Sequence, residues 1–366
     1  MPLRKVIISG GGTGGHIFPA IAIANKIKEK YPEVEILFVG AEGKMEMEKV
    51  PKEGYEIVGL PIRGLQRKLT IKNLLVPFQL IGSLIKAKRI IKKFKPDIAI
   101  GVGGYASAAT IRMAAKQKIP TLIQEQNSYP GITNKILAKR AKKICVAYDG
   151  LERFFPKEKI VKTGNPVRDE VVQIEGKEKA AFEHFSLDPA KKTVLVIGGS
   201  LGARTLNESF KQDIQKMLNK DLQLIWQCGK FYAEELKIFV KELNSQNVYL
   251  SDFIYQMDLA YAAADIIVSR AGAISVSEVC LIGKPVVLVP SPNVAEDHQT
   301  KNAMALVDKE AAILIKDHEA REKLVNEVIT TLENEEKCQT LSSHIHPLGI
   351  PDATDRIVHE IEKLLQ

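Results

Sequence analysis

The amino-acid sequence predicts an α/β protein made of two doubly wound parallel-sheet domains that face each other across a cleft. Two glycine-rich segments carry this prediction, GGGTGGH at residues 10–16 and GGSLGAR at residues 198–204. Each follows a short apolar segment and precedes a helical pattern, and they lie nearly half the chain apart. A glycine turn at the carboxyl end of a strand lets the backbone approach a ligand and directs helix N–H groups at an anion.

Strand and helix patterns alternate through the first half of the chain. An apolar strand near residues 6–9 leads into the first glycine segment, and a helix is predicted near residues 19–30. Further strands are predicted near residues 35–39, 98–102, 121–125 and 143–148. Such alternation is typical of a parallel sheet with helices on its faces.

A second series of apolar segments begins after TGNPVRDE at residues 163–170. Its members end in small, polar or turn residues; they are TVLVIGG, LQLIWQCG, NVYLSDFI, ADIIVSRAG and KPVVLVPSP. We therefore predict a first domain over residues 1–164 and a second over residues 165–350. The last segment, residues 351–366, starts with Pro and Asp and has apolar residues at helical spacing, which predicts an amphipathic helix.

The composition excludes several classes of protein. The chain has 366 residues, 45% of them hydrophobic and 26% charged, so it can bury two cores and is not dominated by disorder. Its four cysteines form no CxxC pair, which favours a reducing, cytoplasmic compartment. No apolar run reaches the ~18 residues that a membrane-spanning helix needs, so we expect none.

The net charge of +8 is concentrated in residues 63–95, where no acidic residue occurs. Apolar residues between the Lys and Arg side chains suit an anionic membrane surface. A core helix with a solvated basic face has the same pattern, so both interpretations stay open. A nucleic-acid partner is not expected, because the segment lacks an interleaved pattern of stacking aromatics and no nucleic-acid motif occurs elsewhere.

The first glycine segment contains the main catalytic candidate. Its GxGxxG spacing from Gly10 to Gly15 is that of a dinucleotide site, which also expects an acid after the second strand, where Glu42 lies. His16 stands where the helix begins, and a neutral imidazole can accept a proton near physiological pH. We predict that His16 is a catalytic base; capping or packing of the loop is the alternative.

Two more polar candidates lie at the end of the strand near residues 121–125. The segment IQEQN at residues 123–127 places Glu125 and Asn127 there, at the same edge as a third glycine turn at Gly103 and Gly104. Ligands of open α/β sheets bind beyond the carboxyl ends of the strands, so both residues are predicted to border the crevice. Glu125 is predicted to orient His16 or to act as a base, although an isolated Glu can also be structural.

The second domain contains groups that suit a nucleotide sugar. Glu278 follows a strand and a glycine turn, where a carboxylate can accept two ribose hydroxyls; placement for the helix dipole is the alternative. His298 and Gln299 follow a later strand and suit sugar hydroxyls, while Arg168, Ser200 and helix N-termini suit a diphosphate. The chain has no DxD motif and no compact set of metal ligands, so neither a metal nor another cofactor is expected.

Seven ordered segments resemble the motifs of the MurG family of peptidoglycan glycosyltransferases: GGGTGGHIFPA, GVGGYAS, QEQNSYPGITN, TGNPVR, GGSLGAR, SRAGAISVSE and PDATDR. The resemblance implies a GT-B fold of two Rossmann-like domains, with the helix of residues 351–366 returning to the first. It implies transfer of N-acetylglucosamine (GlcNAc) from UDP-GlcNAc to the muramyl O4 of lipid I, giving lipid II with inversion. It also implies peripheral binding to the cytoplasmic face of the cell membrane.

The resemblance implies roles for residues of the first, acceptor-binding and membrane-facing domain. Thr13, Gly14 and Gly15 would contact the donor sugar or the acceptor diphosphate, and Asn127 would contact the donor sugar. Our own hypothesis from the residues adds that His16, with help from Glu125, deprotonates the acceptor hydroxyl.

In the second, UDP-GlcNAc-binding domain, the resemblance implies that Arg168 and Ser200 bind the UDP phosphates. Ile254 would contact the uracil, and Gln299 with His298 would bind sugar hydroxyls. The rest of the nucleotide pocket, with Glu278 on the ribose, would be Ala273, Ile274, Ser275, Val276, Ser277 and Glu278.

Three other functions are compatible with some of these features. A UDP-GlcNAc 2-epimerase shares the two domains and the donor, but the basic segment of residues 63–95 disfavours it. An NAD-dependent oxidoreductase needs one dinucleotide site, and the duplicated glycine segment disfavours that. A nucleotide-sugar sensor would bind the donor without turnover. The chain departs from the family at Gln124 and His298, where the family has His and Gln, and Gln124 increases the weight on His16.

Overall fold

The computed structural model describes residues 3–62, 76–199 and 201–366. It divides into two compact units, unit 1 with Met1–Val167 and Asp352–Gln366, and unit 2 with Arg168–Pro351. Each unit has its own parallel sheet with helices packed on it, so the predicted class of two Rossmann-like, doubly wound domains is confirmed. Ser200 and residues 63–75, the part of the predicted basic segment that precedes helix α3, lie outside the described residues.

In the described part of unit 1, seven parallel strands have the order β3-β2-β1-β4-β5-β6-β7. They are β1 (Lys5–Gly10), β2 (Glu35–Ala41), β3 (Glu56–Leu60), β4 (Ile98–Gly103), β5 (Thr121–Glu125), β6 (Lys143–Val146) and β7 (Ile160–Lys162). The central strands read as continuous apolar runs because both faces of the sheet are covered: Val6, Ile7 and Ile8 are fully buried.

The helices of unit 1 pack on both faces of this sheet and form two apolar clusters with it. They are α1 (Gly14–Lys30), α2 (Glu46–Lys52), α3 (Val76–Phe94), α4 (Tyr105–Lys116), α5 (Ile132–Ala138) and, much later in the chain, α15 (Ala353–Lys363). Helix α15 buries Ile357, Val358 and Ile361 in the cluster that includes β1 and α1. Polar bonds add to this contact, since Tyr31 donates to Glu362 at 2.5 Å and Lys30 pairs with Glu362 at 2.6 Å.

Helix α1 begins at Gly14 and not near residue 19, so the predicted start was wrong by one turn. In the structure Pro19 lies inside the helix, at the sixth position, and is buried. The earlier start matters for the site, because it makes His16 a first-turn residue of α1.

In the described part of unit 2, six parallel strands have the order β10-β9-β8-β11-β12-β13. They are β8 (Thr193–Ile197), β9 (Gln223–Gln227), β10 (Val248–Ser251), β11 (Ile266–Ser269), β12 (Val286–Leu288) and β13 (Ile313–Leu314). The helices are α6 (Asp169–Val172), α7 (Glu178–Phe185), α8 (Arg204–Leu218), α9 (Ala233–Leu243), α10 (Met257–Ala263), α11 (Ala273–Ile282), α12 (His298–Val307), α13 (Ala320–Leu332) and α14 (Glu335–Ile345). The buried Trp226 indole is satisfied by Asn207, to which its N–H donates at 2.9 Å.

None of the helices in these three described stretches is long and apolar enough to cross a membrane.

Candidate functional site

In unit 1 the strand order reverses between β1 and β4, which are neighbours in the sheet. A reversal of this kind opens a crevice beyond the carboxyl ends of the two strands. The glycine turns that follow β1 and β4 meet there. Gly104 has φ +86°, and a Cβ at this position would lie 2.6 Å from the carbonyl oxygen of Gly11. Only glycine fits this close approach of two backbones.

His16 lies at this junction with a defined tautomer. Its Nδ1 is 3.0 Å from the carbonyl oxygen of Gly11 and 3.5 Å from the hydroxyl of Thr13. A carbonyl oxygen can only accept, so Nδ1 carries a proton, and in the neutral imidazole Nε2 then carries the lone pair. Nε2 faces the second glycine turn, because a Cβ at Gly103 would lie 2.7 Å from it. The geometry leaves His16 able to accept a proton at Nε2.

Glu125 organises the loop that follows β5. Its Oε1 accepts from the backbone and side-chain amides of Asn127 at 3.0 and 3.1 Å. Its Oε2 accepts from Gly131 N at 3.2 Å and from the Asn134 amide at 2.9 Å. Burial raises the pKa of Glu125, against the lowering effect of these donors. With four donors from its own loop, Glu125 has the environment of a structural brace for Asn127.

The other predicted residues of unit 1 lie at the same edge of the sheet. Thr13 and Gly15 are exposed, Gly14 is half-buried, and all three belong to the start of α1. Asn127 is half-buried and is held by Glu125. Gln124, where the family has His, is fully buried and donates to Asn165 at 3.0 Å.

Glu46 is a residue that the sequence motifs did not single out. Its carboxylate is buried and accepts from Gly12 N at 2.9 Å and from Ala41 N at 3.0 Å. Glu42, the acid that kept the dinucleotide interpretation open, is exposed and pairs with Lys86 at 2.8 Å. A carboxylate at the Gly12 amide takes a donor that a dinucleotide pyrophosphate would need. The only sequence signal for Glu46 is an acid at the start of a short helix after β2.

In unit 2 the strand order reverses between β8 and β11. The glycine turn after β8 packs against the turn after β9: a Cβ at Gly229 would lie 2.0 Å from the amide nitrogen of Gly202. Gly202 and Gly229 have φ +85° and +81°, which favour glycine. This packing fixes Gly202 in the turn that precedes α8.

Among the acids at this edge of the unit 2 sheet, Glu278 has the most strongly shifted pKa. Its Oε2 accepts from the Tyr261 hydroxyl at 3.0 Å. Burial raises the pKa of Glu278 to about 7, against the opposing effects of the Tyr261 hydrogen bond and the Arg168 charge. Arg168, itself exposed, is therefore near Glu278, so the two residues predicted for the phosphates and the ribose share one electrostatic environment. Tyr261 was not predicted, because a tyrosine in a helix of small residues has no distinctive sequence signal.

The remaining residues of the predicted nucleotide pocket differ in solvent exposure. Val276 is 1% exposed and its N–H donates to Gly272 O at 2.9 Å, so its binding of a ligand stays a prediction. Ile254 and Ala273 are also buried, whereas Ile274, Ser275 and Ser277 are half-buried in the first turns of α11.

His298 and Gln299 begin helix α12 and are half-buried. The amide oxygen of Gln299 accepts from Ser291 N at 2.8 Å. A ligand hydroxyl would therefore meet the NH2 group of Gln299 as a donor.

One more contact that the sequence did not predict joins the loops at this edge. The Arg270 guanidinium donates to the carbonyl oxygens of Val289 and Pro290 at 3.0 and 3.3 Å, and it pairs with Asp317. Asp317 also accepts from the Thr205 hydroxyl at 2.9 Å. Within the described residues, no group of three His, Cys, Asp or Glu side chains could hold a metal ion.

Two domain families match the chain: the glycosyltransferase family 28 N-terminal domain over residues 6–146 and the C-terminal domain over residues 193–357. A protein of Parabacteroides distasonis is 56% identical over 99% of this chain and 98% of its own length. The chain belongs to glycosyltransferase family 28. The resemblance stated from the sequence motifs is thus confirmed.

The Parabacteroides protein is named UDP-N-acetylglucosamine–N-acetylmuramyl-(pentapeptide) pyrophosphoryl-undecaprenol N-acetylglucosamine transferase. A protein of the same name from Flavobacterium psychrophilum is 54% identical over 100% of this chain and 99% of its own length. The crystal structure of Acinetobacter baumannii MurG has a TM-score of 0.80 and 28% identity, covering 98% of this chain and 99% of its own. A UDP-N-acetylglucosamine 2-epimerase structure, at 15% identity and a TM-score of 0.67 over 98% and 95% of the chains, shows the shared fold alone.

Proposed function

We propose that this family 28 chain transfers GlcNAc from UDP-GlcNAc to the muramyl C4 hydroxyl of lipid I, giving lipid II with inversion at the anomeric carbon. The observation that carries the proposal is the 3.0 Å contact between His16 Nδ1 and the carbonyl oxygen of Gly11, which in the neutral imidazole leaves Nε2 as the basic nitrogen at the junction of two glycine turns. Full-length relatives more than 50% identical to the chain bear the name of this transferase.

The reaction is one displacement. The C4 hydroxyl of the acceptor loses its proton to His16 Nε2, and its oxygen bonds to the anomeric carbon of GlcNAc. The bond from that carbon to the β-phosphate oxygen breaks, and UDP leaves with the electron pair. Thr13, Gly14 and Gly15 present helix N–H groups and a hydroxyl beside His16, where they would bind a sugar or a diphosphate. Glu125 positions Asn127 for the donor sugar, and His16 is the base.

The donor nucleotide is assigned to unit 2. Glu278 accepts the ribose hydroxyls, with Arg168 beside it for the phosphates. Ser275, Ser277, Ile274 and the Ala273 backbone line the start of α11, and Gln299 with His298 bind sugar hydroxyls. Ile254 is buried, so it would reach the uracil through its backbone. The proposed domains, residues 1–164 with 351–366 and residues 165–350, take the acceptor and the donor respectively.

We assign the chain to the cytoplasmic face of the cell membrane, bound peripherally. Helix α3 supports this location, because Ile81 and Ile85 are 56% and 48% exposed on its surface. The following turns expose Lys88, Arg89, Lys92 and Lys93. Exposed apolar residues followed by a row of cations suit an anionic bilayer surface.

The deciding experiment is transfer of labelled GlcNAc from UDP-GlcNAc to a lipid I analogue, run with and without EDTA. We expect a lipid II-type product in both conditions, because the sequence has no metal-binding motif. A control without acceptor is monitored for UDP-N-acetylmannosamine. Epimerised donor without acceptor would replace the proposal by a 2-epimerase, and donor binding without either product would replace it by a sensor.

The base assignment has its own test. Replacing His16 by Ala removes the proton acceptor, so we expect kcat to fall by ~10² to 10⁴-fold while the Kd for UDP-GlcNAc stays within about twofold. His318→Ala, a change at a 76% exposed side chain of unit 2, is the matched control and should leave both constants unchanged. Full turnover by His16→Ala would remove His16 from the mechanism.

A further inference from the structure

Glu46 is built into the first glycine turn rather than placed beside it. Its side chain is 1% exposed, although it belongs to a short helix at the surface of unit 1. A Cβ at Gly11 would lie 2.1 Å from its Oε1, and a Cβ at Gly40 would lie 2.6 Å from its Cγ. The carboxylate therefore occupies space that exists because both positions are glycine. Burial of a carboxylate is costly unless it is bonded, and the two backbone amides of Gly12 and Ala41 supply the bonds.

One peptide group connects this carboxylate to the catalytic histidine. The N–H of Gly12 donates to Glu46 Oε2 at 2.9 Å, and the C=O of Gly11 accepts from His16 Nδ1 at 3.0 Å. These two groups belong to the same planar peptide bond, in which N–H and C=O point in opposite directions. Carboxylate, peptide and imidazole are thus consecutive members of one hydrogen-bonded chain.

We propose that Glu46 is a positioning residue whose carboxylate acts on His16 through the Gly11–Gly12 peptide. The Glu46 carboxylate, this peptide and the His16 imidazole together form the Glu46 relay, in which no proton moves to Glu46. The inference rests on the proposed function and adds a residue to its mechanism. The carboxylate polarises the peptide, so the Gly11 carbonyl becomes a stronger acceptor for Nδ1–H. That bond holds the tautomer with Nε2 basic and stabilises the imidazolium that forms in the reaction. The transferred proton stays on Nε2, and Glu46 receives none.

Glu46 is the charged group bonded to this peptide, and the other charges near it have different partners or face solvent. Glu42 and Lys86 pair with each other at 2.8 Å. Glu48 and Lys49 on α2 are exposed. Glu125, the last residue of β5, is bonded by the amides of Gly131 and Asn134. Loss of the Glu46 charge is therefore the change that should reach His16 through the peptide.

The test compares three variants by NMR titration of the His16 ring, assigned with His16→Asn, and by the pH profile of kcat/KM. Glu46→Gln removes the charge, so we expect the titration midpoint and the acidic limb of the profile to move down by about one pH unit. The plateau of kcat should fall about tenfold, with the Kd for UDP-GlcNAc unchanged. Glu48→Gln makes the same charge change on the exposed side of α2 and should move neither.

Glu46→Asp separates charge from packing. Both Asp and Gln disturb the two backbone bonds and should lower the melting temperature, but Asp keeps the charge and should keep the His16 midpoint near that of the unmodified chain. Equal shifts in both variants, or no shift with Gln, would overturn the relay and leave Glu46 a structural residue. The NMR titration needs no substrate, so it decides the relay even if the transfer assay rejects the proposed reaction.

Discussion

At the scale of single residues, Glu278 combines a proposed ligand-binding role with burial that opposes its ionisation. Its pKa of about 7 means that a large fraction of the free protein carries a protonated Glu278 near neutral pH. A carboxylate can accept hydrogen bonds from two ribose hydroxyls, and the protonated acid is a weaker acceptor. Binding of UDP-GlcNAc should therefore stabilise the charged form of Glu278. Binding is then coupled to the release of a proton.

We therefore predict that UDP-GlcNAc binds about tenfold more weakly at pH 6 than at pH 8, because the ionised fraction of Glu278 falls by about that factor. Isothermal titration calorimetry in two buffers of different ionisation enthalpy measures both the Kd and the proton released. UDP-GlcNAc is the right ligand for this test, since the terminal phosphate of UDP itself titrates near pH 6.

The variant Glu278→Gln provides the control for that experiment. It removes a charged acceptor, so affinity should drop by about 10 to 100-fold, and the dependence on pH should disappear. A pH dependence that survives in Glu278→Gln would place the titrating group elsewhere.

The residues that could be predicted from the sequence are those whose chemistry depends on local pattern. His16 was singled out because a histidine directly follows a glycine turn, and Glu278 because an acid follows a strand and a glycine. Glu46 was not, because its proposed role depends on two glycines, Gly11 and Gly40, on different segments that leave room for it. Glu125 lies at the end of β5, as the strand pattern indicated, but the four donors that occupy it come from residues whose conformation the sequence does not reveal.

At the scale of elements, the long buried strands were predicted, whereas three of the four edge strands in the described sheets, β3, β7 and β13, were not. β1 and β8 have five or more apolar or small residues that are covered on both faces, which gives a clear signal. β3 contains an exposed Glu56 and a glycine, β7 has three partly exposed residues, and β13 has two. Such segments become strands because a neighbour in the sheet offers hydrogen bonds, and this is tertiary information.

Gly103, the last residue of β4, contacts His16 of α1, so its substitution tests how these two elements position the imidazole. Its φ of +104° is strained for other residues, and a Cβ would lie 2.7 Å from His16 Nε2. We expect Gly103→Ala to displace the imidazole and lower kcat by at least about 30-fold, with the Kd for UDP-GlcNAc unchanged, as measured by steady-state kinetics and calorimetry.

Gly43→Ala is the matched control, because Gly43 also has a positive φ of +68° but a Cβ there would meet open space. It should cost about 1 kcal/mol of stability and leave kcat near that of the unmodified chain. Equal losses of kcat in both variants would mean that backbone strain, and not contact with His16, limits the reaction.

Helix α3 gives a second prediction at this scale. Ile81 and Ile85 are about half exposed, so each would contribute about 1 kcal/mol on entering a bilayer surface. The double variant Ile81→Ser/Ile85→Ser should weaken binding to anionic phospholipid vesicles at least about tenfold in a flotation or sedimentation assay. Raising the salt should also weaken binding, through the exposed cations of α3.

Ile238→Ser on α9 is the control for the vesicle assay, since Ile238 is 63% exposed but belongs to unit 2. It should bind vesicles as tightly as the unmodified chain. If Ile238→Ser weakens vesicle binding as much as the α3 variant does, then α3 is not the membrane contact. The same conclusion follows if the unmodified chain binds neutral and anionic vesicles equally well.

At the scale of the whole molecule, the informative feature is that the last helix of the chain belongs to the first unit. The apolar spacing of residues 351–366 predicts a helix with a buried face, but it does not say which surface covers that face. The resemblance implied a return to the first domain, and the structure identifies the contacts. Ile357 and Ile361 are fully buried in the cluster with β1, and Lys26 pairs with Asp355 at 3.3 Å.

The stability of unit 1 depends on α15, which follows unit 2 in the sequence. The two units should therefore respond differently to a substitution in α15. Ile361→Ala creates a cavity in unit 1, so we expect the free energy of unfolding of unit 1 to drop by about 2–5 kcal/mol. Calorimetry should show a transition moved to lower temperature, while the transition that UDP-GlcNAc shifts upward, assigned to unit 2, stays in place. His359→Ala, at a 64% exposed side chain of the same helix, should move neither. A single transition lowered as a whole would mean that the units unfold together and that α15 stabilises the entire molecule.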